Sequence, residues 1–195
     1  MNNIYCAAEN WIPTVGDSFA LGWLITMLYF GATLVGALAL RVTPENSSVE
    51  RTRYIQFWCL TIILLTILGL NKQLDFHTLF KGLAKCIAIQ GGWYQERFGM
   101  QKSSVVAAIV VGPVLLLGIA VYFKRVFHLV GLAISGVALV VAFTLLRAIS
   151  FNHADEFLGT HLLGMRMDGI LELPGILLVA FNAIWLVSTR TRTTM

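Results

Sequence analysis

Residues Ser18–Leu40 read SFALGWLITMLYFGATLVGALAL, a run of 23 positions without a charged side chain. About 20 such residues in a helix cross the hydrocarbon core of a bilayer, because an α-helix rises about 1.5 Å per residue. The run therefore predicts a transmembrane helix. Within it, Ala32 and Gly36 lie four positions apart, and two small residues at this spacing can seat a neighbouring helix.

The composition of the whole chain leads to the same class of protein. Of its 195 residues, 57% are hydrophobic and 12% are charged, and the mean hydropathy is +0.78. A soluble domain carries about 25% charged residues. The net charge of +4 does not indicate a nucleic-acid partner, because the basic residues flank apolar runs instead of forming one stripe. We predict an all-α integral membrane protein with the lipid bilayer as its surroundings.

Further apolar runs predict a single membrane domain, 1–195, with about five transmembrane helices. The predicted spans lie at about 18–40, 54–75, 103–123, 126–151 and 170–187. Segment 76–90 has a different pattern, with apolar residues at helical spacing and lysines on the opposite side. That pattern is typical of an amphipathic helix lying in the membrane interface.

Several side chains near the second span carry expectations of their own. Tyr54 and Trp58 are expected at the level of the lipid headgroups, where aromatic residues are enriched. Cys59 is expected to be buried in the span. Cys6 and Cys86 could share an oxidising side of the membrane, and a disulfide between them is one possibility.

The ends of the spans give three more predictions. Pro44 and Asn46 predict a polar loop at 41–53. Pro174 is expected in the first turn of the fifth span, where a proline is tolerated. The basic tail at 188–195 is expected to be disordered.

Five spans bring two polar stretches, 71–102 and 147–172, to one face of the membrane. The second and fourth spans both end on this side, and the fifth begins there. The short loops on the other side hold basic residues, which favours an outside N-terminus and a periplasmic polar face. The candidate polar site comprises Asn71, Lys72, Asp75, Arg147, His153, Asp155, Asp168 and Glu172.

Charges in this cluster are expected to be paired, because a charge at membrane depth costs about 2.5–3.5 kcal/mol. We expect Arg147 to pair with Glu172 or Asp75. Asn71 and Lys72 could bridge the same cluster. Ion pairs of this kind often do no more than hold helices in register. The cluster is therefore either a structural clamp or a site of chemistry.

A metal site is the sharper alternative, because His153, Asp155 and His161 offer imidazole and carboxylate ligands. If the chain is helical from His161, then Met165, Asp168 and Glu172 share a face with it. The chain contains no HExxH, HxxxH or cysteine-cluster motif, and the sequence indicates no particular cofactor.

Four motifs, taken in order, carry a family resemblance. They are LGLNKQLD at Leu68–Asp75, GGWYQER at Gly91–Arg97, RAISFNHAD at Arg147–Asp155 and LELPGI at Leu171–Ile176. The series resembles an uncharacterised family of small bacterial multi-span inner-membrane proteins, with the pattern LNKQLD, GWY, RASSFHHxD and LELxGI. The resemblance covers about residues 55–187 and implies an inner-membrane location but no activity. Asn152 stands where the family pattern has a first histidine, which removes one potential metal ligand.

These observations favour an accessory or assembly subunit of a larger membrane protein complex, since the small loops leave little room for independent work. The alternative is a membrane-embedded enzyme or metal-binding protein that uses His153, Asp155 and neighbouring acids. The chain has no nucleophile elbow, phosphate-binding loop or dinucleotide fingerprint, so the sequence leaves open whether it is an enzyme.

Overall fold

The computed structural model describes residues 20–43, 47–74, 76–92, 97–149, 161–162 and 165–193. Within these ranges the chain is almost entirely helical, which confirms the predicted all-α membrane fold. A single turn of 3₁₀ helix, Lys124–Val126, joins the fourth helix to the fifth. The helices are α1 (Ala20–Ala39), α2 (Ser48–Leu74), α3 (Phe76–Gln90), α4 (Arg97–Tyr122), α5 (Phe127–Ile149) and α6 (Met167–Thr193).

Four stretches in the described part of the chain are long and apolar enough to cross a membrane. They are Gly22–Ala39, Ser48–Leu74, Lys124–Leu145 and Leu171–Thr189. The remaining predicted span, 103–123, lies in α4 except for its last residue, and the 26 residues of α4 extend about 39 Å at 1.5 Å per residue. The apolar stretch found within α4 is shorter, Val110–Tyr122.

Side chains of α1, α2, α5 and α6 form the core of the bundle, in which α1 packs against α2 and α6, and α6 also packs against α5. Its largest fully buried side chains include Tyr29, Trp58, Leu65 and Ile176. Contacts at both ends show that α1 and α2 are antiparallel. Tyr54 in the first turns of α2 meets the end of α1, and Gln73 at the end of α2 meets Thr26 near the start of α1.

Small residues set the closest helix contacts. The predicted pair Ala32 and Gly36 is buried, and a Cβ added at Gly36 would lie 3.3 Å from the Trp58 ring of α2. This confirms that the pair seats a neighbouring helix. The tightest crossing is between α5 and α6, where a Cβ at Gly136 would lie 2.6 Å from the Gly175 carbonyl oxygen.

The predicted loop at 41–53 is wrong in its second half, because α2 begins at Ser48. The Ser47 hydroxyl accepts a hydrogen bond of 3.1 Å from the Glu50 backbone N–H. Glu50 also places a negative charge in the first turn, where it opposes the positive end of the helix dipole. Ser47 and Glu50 have the spacing of a capping box, which extends α2 beyond its apolar run.

The environment expected for the aromatic residues of α2 is also corrected. Tyr54 and Trp58 are fully buried in the bundle instead of facing the headgroups. The Tyr54 hydroxyl donates a 2.8 Å hydrogen bond to the carbonyl oxygen of Ala39, which also accepts the Val42 backbone N–H at 3.0 Å in the turn after α1. Cys59, expected to be buried, is an exposed free thiol on the outer side of α2.

Both ends of α6 lie outside the predicted limits. The helix begins at Met167, so Pro174 lies in its interior instead of its first turn. There the proline ring cannot donate a backbone hydrogen bond to the carbonyl of Ile170. At the other end the helix continues to Thr193, so the prediction of a disordered tail is wrong as far as that residue.

Candidate functional site

The site is built on the buried stripe of α2. The buried positions of this helix recur every three or four residues and end with Thr61, Leu65, Gly69 and Lys72. This is the helical repeat of about 3.6 residues. Lys72 is therefore brought into the bundle by the register of α2, although the apolar run of the sequence stops two residues earlier.

Glu172 reaches the same place from α6 by the same rule. It begins a buried stripe that continues through Ile176, Val179, Ala183 and Leu186. Lys72 Nζ lies 3.2 Å from Glu172 Oε2, and the two side chains are only 3% and 6% exposed. The structure thus joins the end of α2 to the start of α6 through an enclosed ion pair.

Enclosure decides how this pair contributes to the fold. Bringing either charge out of water is costly, and the attraction between the charges offsets that cost only while both are present. Removing one partner leaves a buried charge, whereas replacing both by apolar groups removes the penalty together with the attraction. A structural clamp between α2 and α6 therefore stays a prediction for this pair.

A second polar contact lies beside the ion pair. Gln73 Nε2 donates a 2.9 Å hydrogen bond to Thr26 Oγ1, and the Thr26 hydroxyl donates to the Gly22 carbonyl oxygen at 2.9 Å. Gln73 Oε1 is buried and has no hydrogen-bond partner among the described residues. We call Thr26, Lys72, Gln73 and Glu172 the polar cluster; it links α1 and α6 to the end of α2.

The polar cluster contains two of the eight site residues predicted from the sequence, Lys72 and Glu172. A third, Asn71, is half-buried beside them in α2. Arg147 and Asp168 lie in described helices, but their side chains fall outside the described part of the structure. Asp75, His153 and Asp155 also lie outside the described residues. The structure gives Glu172 the partner Lys72, and the expected pairing of Arg147 falls beyond what is described.

The helical arrangement considered for the metal site is wrong. His161–Leu162 and Met165–Arg166 form a small antiparallel pair of strands, with His161 opposite Arg166, and α6 starts only at Met167. A helix through this region would have to include Gly164, which is unfavourable in a helix interior.

The structure does not test the predicted metal ligands themselves. In the described part of the chain, no group of three or more histidine, cysteine, aspartate or glutamate side chains could hold a metal ion. His153, Asp155 and the side chain of His161 lie outside that part.

Sequence reasoning missed two polar residues within the spans. Thr26 joins the polar cluster, and Asn182, only 2% exposed, donates from Nδ2 to the Leu129 carbonyl oxygen at 3.1 Å. The usable signal was an amide in an otherwise apolar run, because a polar side chain inside a span requires a partner.

Cys86 in α3 is disulfide-bonded, whereas Cys59 is a free thiol. Cys6, the remaining cysteine of the chain, lies outside the described residues. The state of Cys86 bears on the side of the membrane that α3 occupies, since disulfides persist in oxidising compartments.

No family model, curated protein or solved structure matches the chain. The fold and the polar cluster define the class, a helical membrane protein with a buried ion pair between two of its spans.

Proposed function

We propose that this protein is an accessory or assembly subunit of a larger membrane protein complex. The supporting observation concerns α4. None of its described side chains from Val106 to Tyr122 is buried, and the exposed ones cover the helix surface except for a half-buried stripe at Gly112, Leu116 and Ala120. Each other apolar helix of the described bundle buries one face against its neighbours.

The surface of α4 suits a neighbouring membrane helix. In lipid, helices associate through close packing at small residues. Cβ atoms added at Gly112 and Gly118 would meet nothing within 4 Å, so both positions leave room for another backbone to approach. The described hydrogen bonds from α4 to another helix are at its last residue, Tyr122, which contacts Arg53 and Gln56 of α2.

Purification tests this proposal. The full chain, isolated from its native membrane in a mild detergent, should retain a membrane protein partner in a fixed ratio, measured by quantitative mass spectrometry. Gly112→Leu and Gly118→Leu should release that partner, because they fill the space for close approach. Gly31→Leu in α1 is the matched control, since a Cβ there also meets nothing within 4 Å. A homogeneous monomer without a partner would exclude the proposal.

We further propose a bacterial inner-membrane location, which the motif resemblance implies, with the N-terminus and the polar cluster on the periplasmic side. The disulfide at Cys86 supports an oxidising environment for α3. Arg41 in the connection after α1, and Arg51 and Arg53 in the first two turns of α2, lie near the opposite side, which agrees with the positive-inside rule. A fluorescent protein fused to the C-terminus should fluoresce in the cytoplasm. A dark fusion of normal abundance would reverse the orientation.

The second candidate is a membrane-embedded enzyme or metal-binding protein. The enclosed Lys72–Glu172 pair favours it, because ionisable residues inside a membrane protein often mark a functional site. His153→Ala and Asp155→Ala should then abolish ligand binding or activity while the folded yield stays normal. Elemental analysis of the purified chain tests the metal version, and a chain without stoichiometric metal would exclude it.

A further inference from the structure

A groove runs between α5 and α6 at the end of the bundle away from the polar cluster. It has a volume of about 600 Å³ and is open on its outer side. Gly131 in the groove has no side chain, and the Phe127 ring lies over this position, 3.1 Å from where a Cβ would lie. The walls are formed by Phe127, Leu132, Ser135, Phe181, Asn182 and Trp185.

The position of the groove relates it to a membrane surface. Phe127 and His128 are in the first turn of α5, directly after the 3₁₀ turn. Trp185 is 46% exposed and lies four residues before the end of the apolar stretch Leu171–Thr189. Tryptophan is enriched at this depth, where one side of the ring meets acyl chains and the other meets headgroups.

Charge at this end of the helix pair has one sign. Lys124 and Arg125 are both exposed. The sequence adds Arg190 and Arg192 near the end of α6, and neither 97–149 nor 173–193 contains an aspartate or glutamate. Such a basic mouth above an apolar groove complements a molecule with an anionic head and an apolar tail.

Asn182 is a polar residue in the groove, between the basic mouth and the apolar part that would hold a lipid tail. Its Nδ2 uses one hydrogen on the Leu129 carbonyl oxygen, and a carboxamide nitrogen has a second one to donate. Its Oδ1 has no hydrogen-bond partner among the described residues. The carbonyl oxygen of a lipid ester at this depth would accept a hydrogen bond from this second N–H.

We propose that this groove binds one anionic phospholipid. One acyl chain lies along Gly131 and Ser135, the ester region meets Asn182, and the phosphate meets Lys124 and Arg125. The inference does not rest on the proposed accessory function, because it concerns a lipid and a different face of the bundle.

The test uses the full chain in detergent and native mass spectrometry with phosphatidylglycerol and phosphatidylcholine of equal chain length. The wild type should bind one phosphatidylglycerol, with a preference of about thirtyfold over phosphatidylcholine if each of the two basic residues acts as one near a membrane surface. Lys124→Gln/Arg125→Gln should remove that preference. The same double variant with an unchanged preference would overturn the headgroup assignment.

Filling the groove tests the site itself. Ser135 is exposed, and Ser135→Leu should reduce phosphatidylglycerol binding about tenfold or more. Ala142→Leu is the matched control, because it adds bulk to an exposed position two helical turns farther along the same face. If Ser135→Leu lowers the folded yield, Trp185→Ala is the variant to use instead. It removes one wall of the groove and should also weaken phosphatidylglycerol binding. The proposal would be overturned if Ser135→Leu and Trp185→Ala retained as much phosphatidylglycerol as the wild type. It would also be overturned if Ala142→Leu lost as much binding as Ser135→Leu.

Discussion

Lys72 Nζ lies 3.2 Å from Glu172 Oε2, inside the bundle and between helices that are distant in sequence. The contact joins α2 to α6 at one end, while Asn182 joins α6 to α5 toward the other. The two polar contacts tie α6 to a different helix near each end, in addition to its close crossing with α5 at Gly136 and Gly175.

Removing one member of the ion pair should be costly. Lys72→Ala or Glu172→Ala should each lower the free energy of unfolding by about 3–5 kcal/mol, because the remaining charge is buried without its partner. The double variant Lys72→Met/Glu172→Leu should lie much closer to the wild type. Unfolding in detergent, followed by circular dichroism, measures the difference.

Lys85 supplies the control for these variants, since it is an exposed lysine on α3. Lys85→Ala should change the unfolding free energy by less than about 0.5 kcal/mol. If both single variants at the ion pair behaved like Lys85→Ala, the enclosed pair would not hold the bundle together.

The Gln73–Thr26 hydrogen bond predicts a smaller effect. Thr26→Val keeps the shape of the side chain but removes the acceptor for Gln73 Nε2, which should destabilise the protein by about 1–2 kcal/mol. Thr33→Val is matched, because the Thr33 hydroxyl bonds only within its own helix, to Tyr29, in the described structure. Equal melting temperatures for the two variants would contradict the assigned role of Thr26.

Most of the fold could be predicted from the sequence, but little of the polar cluster could. Apolar run length predicted the helices, because a membrane requires one length of uncharged chain. It did not predict which face of each helix is buried, since both faces of a span are apolar. Tyr54, Trp58 and Cys59 were misplaced for this reason: only the packing of α1 against α2 decides which of them faces the core.

The polar cluster shows the same limit at the level of single residues. Lys72 and Glu172 were recognised as charges that need partners, but several other charges near the span ends could have been the partner of either one. Their pairing depends on the register of α2 against α6, which no local pattern contains. Thr26 was overlooked because a lone threonine in a span bonds equally well to its own helix.

Arg53 of α2 contacts Tyr122, the last residue of α4. Its guanidinium donates to the Tyr122 carbonyl oxygen and lies 4.5 Å from the centre of the Tyr122 ring, and the Tyr122 hydroxyl donates to Gln56 at 2.9 Å. Arg53→Ala should therefore free the end of α4, with faster amide exchange over its last two turns. The exposed neighbour Arg51 is the control, and identical exchange in Arg53→Ala and Arg51→Ala would show that α4 is held elsewhere.

The crossing of α5 and α6 should tolerate no side chain at its closest point. A Cβ at Gly136 would lie 2.6 Å from the Gly175 carbonyl oxygen, and one at Gly175 would lie 2.6 Å from Val140 Cγ2 and 2.8 Å from the Gly136 carbonyl oxygen. Two backbones at such a distance cannot yield independently, so Gly136→Ala should force the helices apart. We expect a loss of about 1–3 kcal/mol, the usual range for overpacking.

Gly118→Ala in α4 separates this steric effect from the intrinsic preference of alanine for helices. Nothing lies within 4 Å of a Cβ at Gly118, so that variant should be neutral or more stable by up to about 1 kcal/mol. Opposite signs for the two substitutions in thermal unfolding would place the effect at the helix crossing. If Gly136→Ala were also stabilising, α5 and α6 could not cross as closely as the structure has them, and the groove between Leu132 and Phe181 would have a different shape.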